Sequence, residues 1–314
     1  MMHVFLTGAS GFVGGAVLQR LASLNDIKVT AAVRKSSSPL QCAVHDVVNL
    51  ETENVSLLGV DVVIHAAARV HVMDEYSPNA LSEYRKVNTE WTLNLAREAL
   101  ASGVKRFIFL SSIKVNGEVT SSDRPFRADD EPAPSDYYGI SKLEAEQGLL
   151  EIAADSEMDV VIIRPVLVYG DGVKANFYNM ISWLDRGIPL PFGRLVNKRS
   201  FVALDNLVDL IFTCMNHPDA SNQVFLVSDD EDLTATQLFQ RVGRALGRNT
   251  WLLPVPTFLL RAIFQVLGKK SQAQRLLGSL QVDVEKTRKV LGWQPVIGVD
   301  EALRKTVDGF KRRK

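Results

Sequence analysis

A glycine-rich turn directly after the first apolar strand constrains this chain more than any other feature. In TGASGFVGG, Gly8, Gly11 and Gly14 are spaced G-x-x-G-x-x-G, between the strand pattern HVFLT and a helical pattern from about Val13 to Ser23. Glycine lets a backbone turn tightly, approach a pyrophosphate and pack the next helix against a sheet, while the helix N-terminal NH groups bind the anion. A strand, this turn and a helix in that order predict a dinucleotide-binding unit.

Short β-branched runs alternate with helical patterns through the first half of the chain. The strand patterns after the first are KVTAAV, DVVIHAA, RFIFLSS and VVIIRPVLV, and NTEWTLNLAREALASG has a helical pattern. Continuous apolar strands are typical of strands buried on both faces. We therefore predict an α/β fold, a doubly wound parallel sheet of the Rossmann type covered by helices.

A length of 314 residues favours a large lobe that carries a smaller one. Near residue 170 the regular alternation ends, Gly, Pro and aromatic residues crowd GIPLPFG, and helical patterns then dominate. We expect the cofactor domain over 1–168 and a smaller, mainly helical substrate lobe over 169–201 and 229–314. The strand pattern NQVFLVSDD suggests that 202–228 returns to the first sheet.

Composition excludes several classes of protein. An apolar content of 46% and a charged content of 23% are typical of globular chains and not of disordered ones. The 36 basic and 36 acidic residues balance, so no overall field attracts nucleic acid or an anionic membrane. Cys42 and Cys214 fit neither a disulfide framework nor a metal-ligand spacing, so we expect no metal site and a reducing cytoplasm.

No targeting signal is expected at the N-terminus, which lacks a basic region and a cleavage site. The best candidate for a membrane segment is LLPVPTFLLRAIFQVLG, residues 252–268. Two prolines and Arg261 interrupt it and leave about ten apolar-biased residues, where about 20 are needed to span a bilayer. We expect a buried or interfacial helix there and no integral membrane segment.

The residues after the second strand pattern indicate which dinucleotide is bound. NAD-preferring enzymes usually carry an acidic residue there for the ribose 2′-hydroxyl, but this chain has Arg34, Lys35 and Ser36. A guanidinium pairs well with a 2′-phosphate, which favours NADP(H) and leaves NAD(H) possible; the alternative is a solvated basic loop. Asp46 and Val47, expected after the third strand, are candidate adenine contacts, although an Asp there can equally cap a turn.

The segment SDYYGISKLEAE contains a candidate acid/base pair. Tyr138 and Lys142 are four residues apart and share one helix face, whereas Tyr137 is rotated away from it. A neighbouring ammonium is expected to lower the tyrosine pKa from its usual value of about 10. Ser111 and Ser112 end the strand pattern FIFLSS, where a parallel sheet places its chemistry, and a hydroxyl there can polarise a carbonyl.

These motifs together resemble the extended short-chain dehydrogenase/reductase family, in its branch of nucleotide-sugar 4-epimerases and 4-keto reductases. The resemblance is carried by TGASGFVG, Ser112, YGISK and RPVLVYG, and it covers nearly the whole chain. It implies Ser112, Tyr138 and Lys142 as the catalytic residues, with Asn88 on a helix that supports the site. The residues implied to bind the cofactor are Gly8, Ser10, Gly11, Phe12, Val13, Gly14, Arg34, Lys35, Ser36, Asp46, Val47, Ala66, Ala67, Ala68, Tyr138, Lys142 and Pro165.

The resemblance also implies where the substrate lies. Ser112 and Asn176 would contact the sugar, Phe192 would line a uracil pocket, and Arg199 would grip the diphosphate, with Arg275 as a second clamp. A homodimer built from the helices that carry Asn88 and Tyr138 is expected from relatives.

Two departures from the family pattern weaken the interpretation of this chain as an epimerase. Epimerising relatives usually have tyrosine in SS-x-x-V-Y-G, where this chain has Asn116, and they usually keep the acidic residue after the second strand. We therefore predict an NADPH-dependent reductase that acts on the C4 ketone of a UDP-linked 4-keto-6-deoxy-N-acetylhexosamine, as in bacterial enzymes that make donors for surface polysaccharide such as O-antigen. The alternatives are a UDP-hexose or UDP-N-acetylhexosamine 4-epimerase with tightly bound NAD, and a non-catalytic cofactor-sensing regulator.

Overall fold

A parallel sheet of seven strands forms the centre of the protein in the computed structural model. The structure describes residues 1–34, 40, 42, 44–50, 55–70, 79–121, 124–268 and 270–314, without the side chains of 270–272. The strand order is β10-β6-β5-β4-β1-β2-β3, and every neighbouring pair is parallel. The seven strands are β1 (Met2–Thr7), β2 (Ile27–Val33), β3 (Asp46–Asn49), β4 (Val62–His65), β5 (Arg106–Leu110), β6 (Asp159–Pro165) and β10 (Gln223–Val227).

Two short pairs of strands lie outside this sheet. They are formed by β7 (Leu167–Tyr169) with β9 (Phe201–Ala203), and by β8 (Lys198–Arg199) with β11 (Leu233–Thr234). The helices are α1 (Phe12–Ala22), α2 (Ala80–Arg85), α3 (Trp91–Ala101), α4 (Tyr137–Ala154), α5 (Ala175–Asp185), α6 (Leu204–Asn216), α7 (Ala235–Leu246), α8 (Thr257–Val266), α9 (Lys270–Leu277), α10 (Glu285–Leu291) and α11 (Val299–Arg312).

Helices cover both faces of the central sheet, which confirms the predicted doubly wound fold. On one face α1 and α6 bury apolar side chains such as Leu18 and Leu207 against the strands. On the other face α3 and α4 do the same with Leu95 and Leu149. The strand order reverses between β1 and β4, and such a reversal opens a crevice at the carboxyl ends of the strands, where ligands bind in sheets of this kind.

The apolar run VVIIRPVLV, expected as one strand, is divided into two. β6 ends at Pro165, and β7 begins at Leu167 and pairs with β9 in a different sheet. Proline has no NH to donate and is disfavoured inside a sheet, so the strand ends there. The chain leaves the central sheet at this residue and enters the second lobe.

A separate apolar cluster forms the centre of the second lobe. It gathers buried side chains from α5, α7 and α11, among them Ile181, Val242 and Leu303. β10 follows part of this lobe in sequence and lies at the edge of the central sheet beside β6. No helix in the part of the chain that the structure describes is both long and apolar enough to cross a bilayer.

Candidate active site

The turn after β1 requires its glycines. Gly8 has a φ of +72°, and a Cβ there would lie 2.8 Å from the carbonyl carbon of Ala66. A Cβ on Gly14 would lie 2.2 Å from the Gly8 carbonyl oxygen, closer than any real contact. The Gly11 NH donates to that same oxygen at 2.8 Å. The turn is therefore folded tightly on itself and against the chain that follows β4.

The N-terminus of α1 faces this turn without a protein side chain to cap it. Gly11 is the N-cap residue, and the first turn, with Phe12 and Val13, contains no acidic residue. Ser10 on the turn is exposed. Uncapped helix NH groups together with a tight glycine turn fit a pyrophosphate.

The basic residue expected at the end of β2 lies open to solvent. Arg34 directly follows β2, is exposed, and forms no hydrogen bond or ion pair with the described residues. Lys35 and Ser36 lie outside the described residues. The Arg34 guanidinium is thus available to a ligand.

The two candidate adenine contacts, Asp46 and Val47, lie within a strand and not after one as expected. They are the first residues of β3. The Asp46 carboxylate caps no turn, because it pairs across the strands with Lys28 at 3.0 Å, and this contact lowers the pKa of Asp46. Val47 is exposed. Both residues stay near β2 because β3 pairs with it.

His65, at the carboxyl end of β4, joins two elements beneath the cofactor crevice. Its ring nitrogens lie 2.7 Å from the Thr7 hydroxyl and 2.9 Å from the Thr92 hydroxyl. Burial, followed by the charge of Lys142, lowers the pKa of His65 well below its usual value, so the ring is neutral. The Thr7 hydroxyl also accepts from the Ala67 NH at 3.2 Å. These contacts hold Ala66, Ala67 and Ala68 beside the glycine turn.

Helix α4 presents the tyrosine and lysine of the predicted pair. Asp136 caps the helix by accepting from the Gly139 NH at 2.7 Å. Tyr138 is partly buried, Lys142 is fully buried, and Tyr137 points outward with 42% of its surface exposed. The helical spacing therefore separates the two tyrosines as predicted.

Ser112 lies at the end of β5 and contacts Tyr138. Its hydroxyl is near enough to influence the pKa of Tyr138, and it accepts from the Lys114 NH at 3.3 Å. Burial raises the pKa of Tyr138 strongly, the Asp136 carboxylate adds to the rise, and the nearby Ser112 hydroxyl opposes it. The expected lowering by Lys142 is absent here, so the phenol keeps its proton.

Burial also disfavours the charged form of Lys142 itself. Its Nζ lies 4.1 Å from the centroid of the Phe109 ring and has no hydrogen-bond partner in the described structure. Burial lowers the pKa of Lys142 to about 7, and the Glu146 carboxylate partly opposes this. A buried amine without a partner fits a ligand that supplies hydroxyl oxygens, such as a ribose.

A buried polar network behind these residues was not predicted. The Ser111 hydroxyl donates to Glu146, whose carboxylate forms a bidentate pair with Arg164, with Nη2 to Oε2 at 2.6 Å. The Arg164 Nη1 also donates to Asn116 Oδ1 at 3.0 Å. Thus Asn116, in the position where epimerising relatives usually have tyrosine, is engaged in the interior. An arginine within the apolar strand pattern VVIIRP was the signal for this network, since a buried guanidinium requires a partner.

Asn88 connects the loop after β4 to helix α4. It lies in a π-helical turn, Lys86–Glu90, between α2 and α3. Its Oδ1 accepts from the Arg69 NH at 2.8 Å, and its Nδ2 donates to the Arg69 carbonyl at 3.1 Å and to Ser141 Oγ at 3.0 Å. These bonds hold the segment containing Ala68 against the helix that carries Tyr138.

The second lobe brings together two of its four predicted substrate residues. Arg199 on β8 is partly buried and donates to the Gly278 carbonyl at 3.0 Å. Burial lowers its pKa, Glu118 opposes this, and the nearby Arg275 on α9 adds to the lowering. The two guanidiniums are therefore close enough to repel each other, an arrangement that an anion relieves.

The other two predicted residues differ in how far they are exposed. Asn176 is exposed in the first turn of α5. Phe192, expected to line an open pocket, is buried in the lobe with its ring 5.2 Å from that of Phe239. The ring is buried because removing its large apolar surface from water is favourable.

Comparison with known proteins identifies relatives that match nearly the whole chain. A Vibrio cholerae protein named UDP-glucose 4-epimerase is 47% identical over 311 residues, covering 98% of this chain and 95% of that one. The solved structure of MoeE5 in complex with UDP-glucose and NAD has a TM-score of 0.78 at 24% identity, covering 99% of both chains. That of RMD from Pseudomonas aeruginosa complexed with NADPH has a TM-score of 0.75 at 20% identity, covering 100% of both.

These two solved structures carry NAD in one case and NADPH in the other, on the same fold. The model of the NAD dependent epimerase/dehydratase family matches residues 4–228, from β1 to the residue after β10. The match contains the glycine turn, Ser112, Tyr138 and Lys142. The chain belongs to the NAD dependent epimerase/dehydratase family.

Proposed function

We propose that this enzyme uses NADPH to reduce the C4 ketone of a UDP-linked 4-keto-6-deoxy-N-acetylhexosamine, a step that yields a sugar donor for bacterial surface polysaccharide such as O-antigen. The observation that carries the choice of cofactor is Arg34, which directly follows β2, is exposed, and has no partner among the residues that the structure describes. The sequence from Arg34 to Leu40 contains no acidic residue to bind a ribose 2′-hydroxyl. A guanidinium there matches a 2′-phosphate in charge and geometry.

The protonation state of Tyr138 supports reduction. A reductase needs a proton donor for the carbonyl oxygen at the start of its reaction, and the raised pKa keeps Tyr138 in the phenol form. NADPH, when bound, supplies the hydride that the ketone carbon accepts. The Tyr138 hydroxyl gives its proton to the oxygen, which becomes the C4 hydroxyl.

Ser112 and Lys142 assist that transfer. The Ser112 hydroxyl lies near Tyr138, so it could orient a ketone oxygen against the phenol. Lys142 is available to the nicotinamide ribose because its amine has no partner among the described residues. With a pKa of about 7, Lys142 carries a partial positive charge at neutral pH, which would stabilise the phenolate left after proton transfer.

The substrate would lie between the catalytic residues and the second lobe. Arg199 and Arg275 repel each other without a ligand, so a diphosphate between them would be favourable. This supports a nucleotide-diphosphate sugar as the substrate, with Asn176 as a further sugar contact. A uracil contact by Phe192 would require the ring to leave its packing against Phe239.

A second candidate is a UDP-hexose or UDP-N-acetylhexosamine 4-epimerase with tightly bound NAD. It is favoured by the 47% identity to the Vibrio cholerae protein of that name. An epimerase begins by oxidising C4, so Tyr138 would have to accept a proton first, whereas a reductase begins with the phenol as proton donor. Bound NAD in the purified protein would support this candidate.

The deciding experiment measures turnover of a UDP-4-keto-6-deoxy-N-acetylhexosamine with NADPH and with NADH, and reads the C4 configuration of the product by NMR. We expect faster consumption of NADPH. Equal rates, or a preference for NADH, would contradict the proposal. Interconversion of UDP-glucose and UDP-galactose without added cofactor would establish the epimerase instead.

A further inference from the structure

We propose that helix α8 and the segment before it form a surface that docks onto an anionic lipid bilayer. This inference is independent of the proposed reaction. The surface, here called the apolar platform, consists of exposed side chains: Trp251, Phe258, Leu259, Ile263, Val266 and Leu267. Single exposed apolar residues are ordinary in proteins, but a contiguous group usually marks an interaction site.

The orientation of α8 is unusual for a surface helix. Leu260 is its one fully buried side chain, and Phe264 on the next turn is partly buried against the second lobe. With 3.6 residues per turn, Phe258 and Val266 fall on the outward side together with Leu259 and Ile263. A surface helix normally presents polar residues to solvent, so this outward face lacks the partner that its composition requires.

The degree of exposure at these positions is high. Phe258 and Trp251 are each 68% exposed and Val266 is 88% exposed. α8 has ten residues, whereas about 20 are needed to cross a bilayer, so it can only lie in the plane of an interface. Tryptophan and phenylalanine are the side chains that interfacial helices insert at the level of the headgroups.

The charge of the surrounding segment identifies the occupant. Residues 233–282 contain seven Lys and Arg and no Asp or Glu, in a chain whose net charge is zero. Arg244 and Arg261 are exposed and form no ion pair within the described part of the chain, whereas Arg241 and Arg248 pair with acidic residues outside this segment. A second copy of the chain on the apolar platform would bring two such positive segments together, which is unfavourable. An anionic lipid surface complements both the apolar side chains and the charge.

The test is co-sedimentation of the full chain with two kinds of vesicle, one of phosphatidylcholine mixed with phosphatidylglycerol and one of phosphatidylcholine alone. The test variant is Phe258→Ser/Val266→Ser. The control variant, Leu58→Ser/Val296→Ser, removes two apolar residues that are 82% and 55% exposed elsewhere on the surface. All four side chains are exposed, so both variants should keep the thermal midpoint of the wild type.

We expect the wild type and the control to bind anionic vesicles, less so at high salt and less to phosphatidylcholine alone. The test variant should lose about tenfold or more in partitioning. The inference is overturned if the wild type stays in solution, or if the two variants bind alike. A dimer held together by the apolar platform would also overturn the inference. In that case light scattering would show a wild-type dimer that binds no vesicle, and the test variant would be a monomer. The experiment measures vesicle binding and not turnover. A negative result would therefore contradict the membrane inference and leave the proposed reaction untouched.

Discussion

The Lys142 amine lies 4.1 Å from the centroid of the Phe109 ring, in the interior of the protein, and no described group accepts a hydrogen bond from it. An aromatic face attracts a cation, but only weakly in comparison with the hydration that burial removes. Burying the Lys142 ammonium therefore lowers the free energy of unfolding. Lysine at this position does not favour stability.

Replacing Lys142 with methionine should stabilise the protein while removing activity. Because the pKa of Lys142 is lowered from 10.5 to about 7, its cost to stability is fully present below pH 7, where the lysine is charged in both the folded and the unfolded state. From pH 7 to about 10 the unfolded state binds more protons than the folded one, so wild-type stability rises with pH. Lys142→Met should raise the free energy of unfolding by on the order of 2–4 kcal/mol at pH 7, and less near pH 10.

Urea denaturation of both proteins across this pH range measures that difference. Lys105→Met is the control, since Lys105 is exposed and pairs with Asp61 at 3.0 Å on the surface. A gain in stability that does not shrink as pH rises would show that burial of the charge is not its cause.

Tyr138→Phe should lower turnover by about 10²- to 10⁴-fold, the usual contribution of a general acid. The ring remains, so cofactor affinity and the thermal midpoint should stay near those of the wild type. Tyr137→Phe is the matched control, because that neighbouring ring is exposed. Steady-state rates of the three proteins, with cofactor titrations, make the comparison. Normal turnover by Tyr138→Phe would refute the assigned role.

Arg34→Ala should weaken NADPH binding and leave NADH binding almost unchanged. A hydrogen-bonded charge pair is worth about 1.5–3 kcal/mol, so KM for NADPH should rise about 10- to 100-fold. Lys28→Ala is the control, since it removes a cation from the same edge of the sheet that is already paired with Asp46. If both cofactors lose affinity equally, Arg34 does not contact the 2′-phosphate.

Arg164→Met and Arg85→Met compare two arginine–glutamate pairs of similar geometry. The Arg164–Glu146 side chains are 5% and 2% exposed, whereas those of Arg85–Glu144 are 45% and 28% exposed. Arg164→Met leaves a carboxylate buried without its partner and should cost about 3–5 kcal/mol of unfolding free energy. Arg85→Met should cost at most about 1 kcal/mol. Similar losses in chemical denaturation would contradict the role assigned to burial.

Gly14→Ala should disturb the phosphate turn, because its Cβ would lie 2.2 Å from the Gly8 carbonyl oxygen. We expect a loss of about 1–3 kcal/mol in stability and weaker cofactor binding, since the turn has to open. Gly298→Ala adds the same methyl group at a position with no atom within 4 Å and with an extended backbone. Thermal melts and cofactor titrations of both variants test the prediction, and equal effects would show that the contact at Gly14 is unimportant.

The features predicted from sequence are those that depend on nearby residues. The glycine spacing determines the turn after β1, because the conformation and the missing Cβ of each glycine are local properties. The spacing of Tyr138 and Lys142 determines their shared helix face for the same reason. Strand patterns are sufficient to predict a parallel sheet, but the run expected as one strand ends at Pro165.

Other features depend on contacts between residues far apart in sequence, and only the tertiary structure decided them. Asn116 and Arg164 meet across 48 residues, and the ring of Phe192 finds Phe239 inside the second lobe. The pKa of Lys142 and that of Tyr138 are set by how much water the surrounding elements exclude. Sequence therefore determined which chemical groups lie at the crevice, and the packing of distant elements decided their protonation, because desolvation depends on the whole fold.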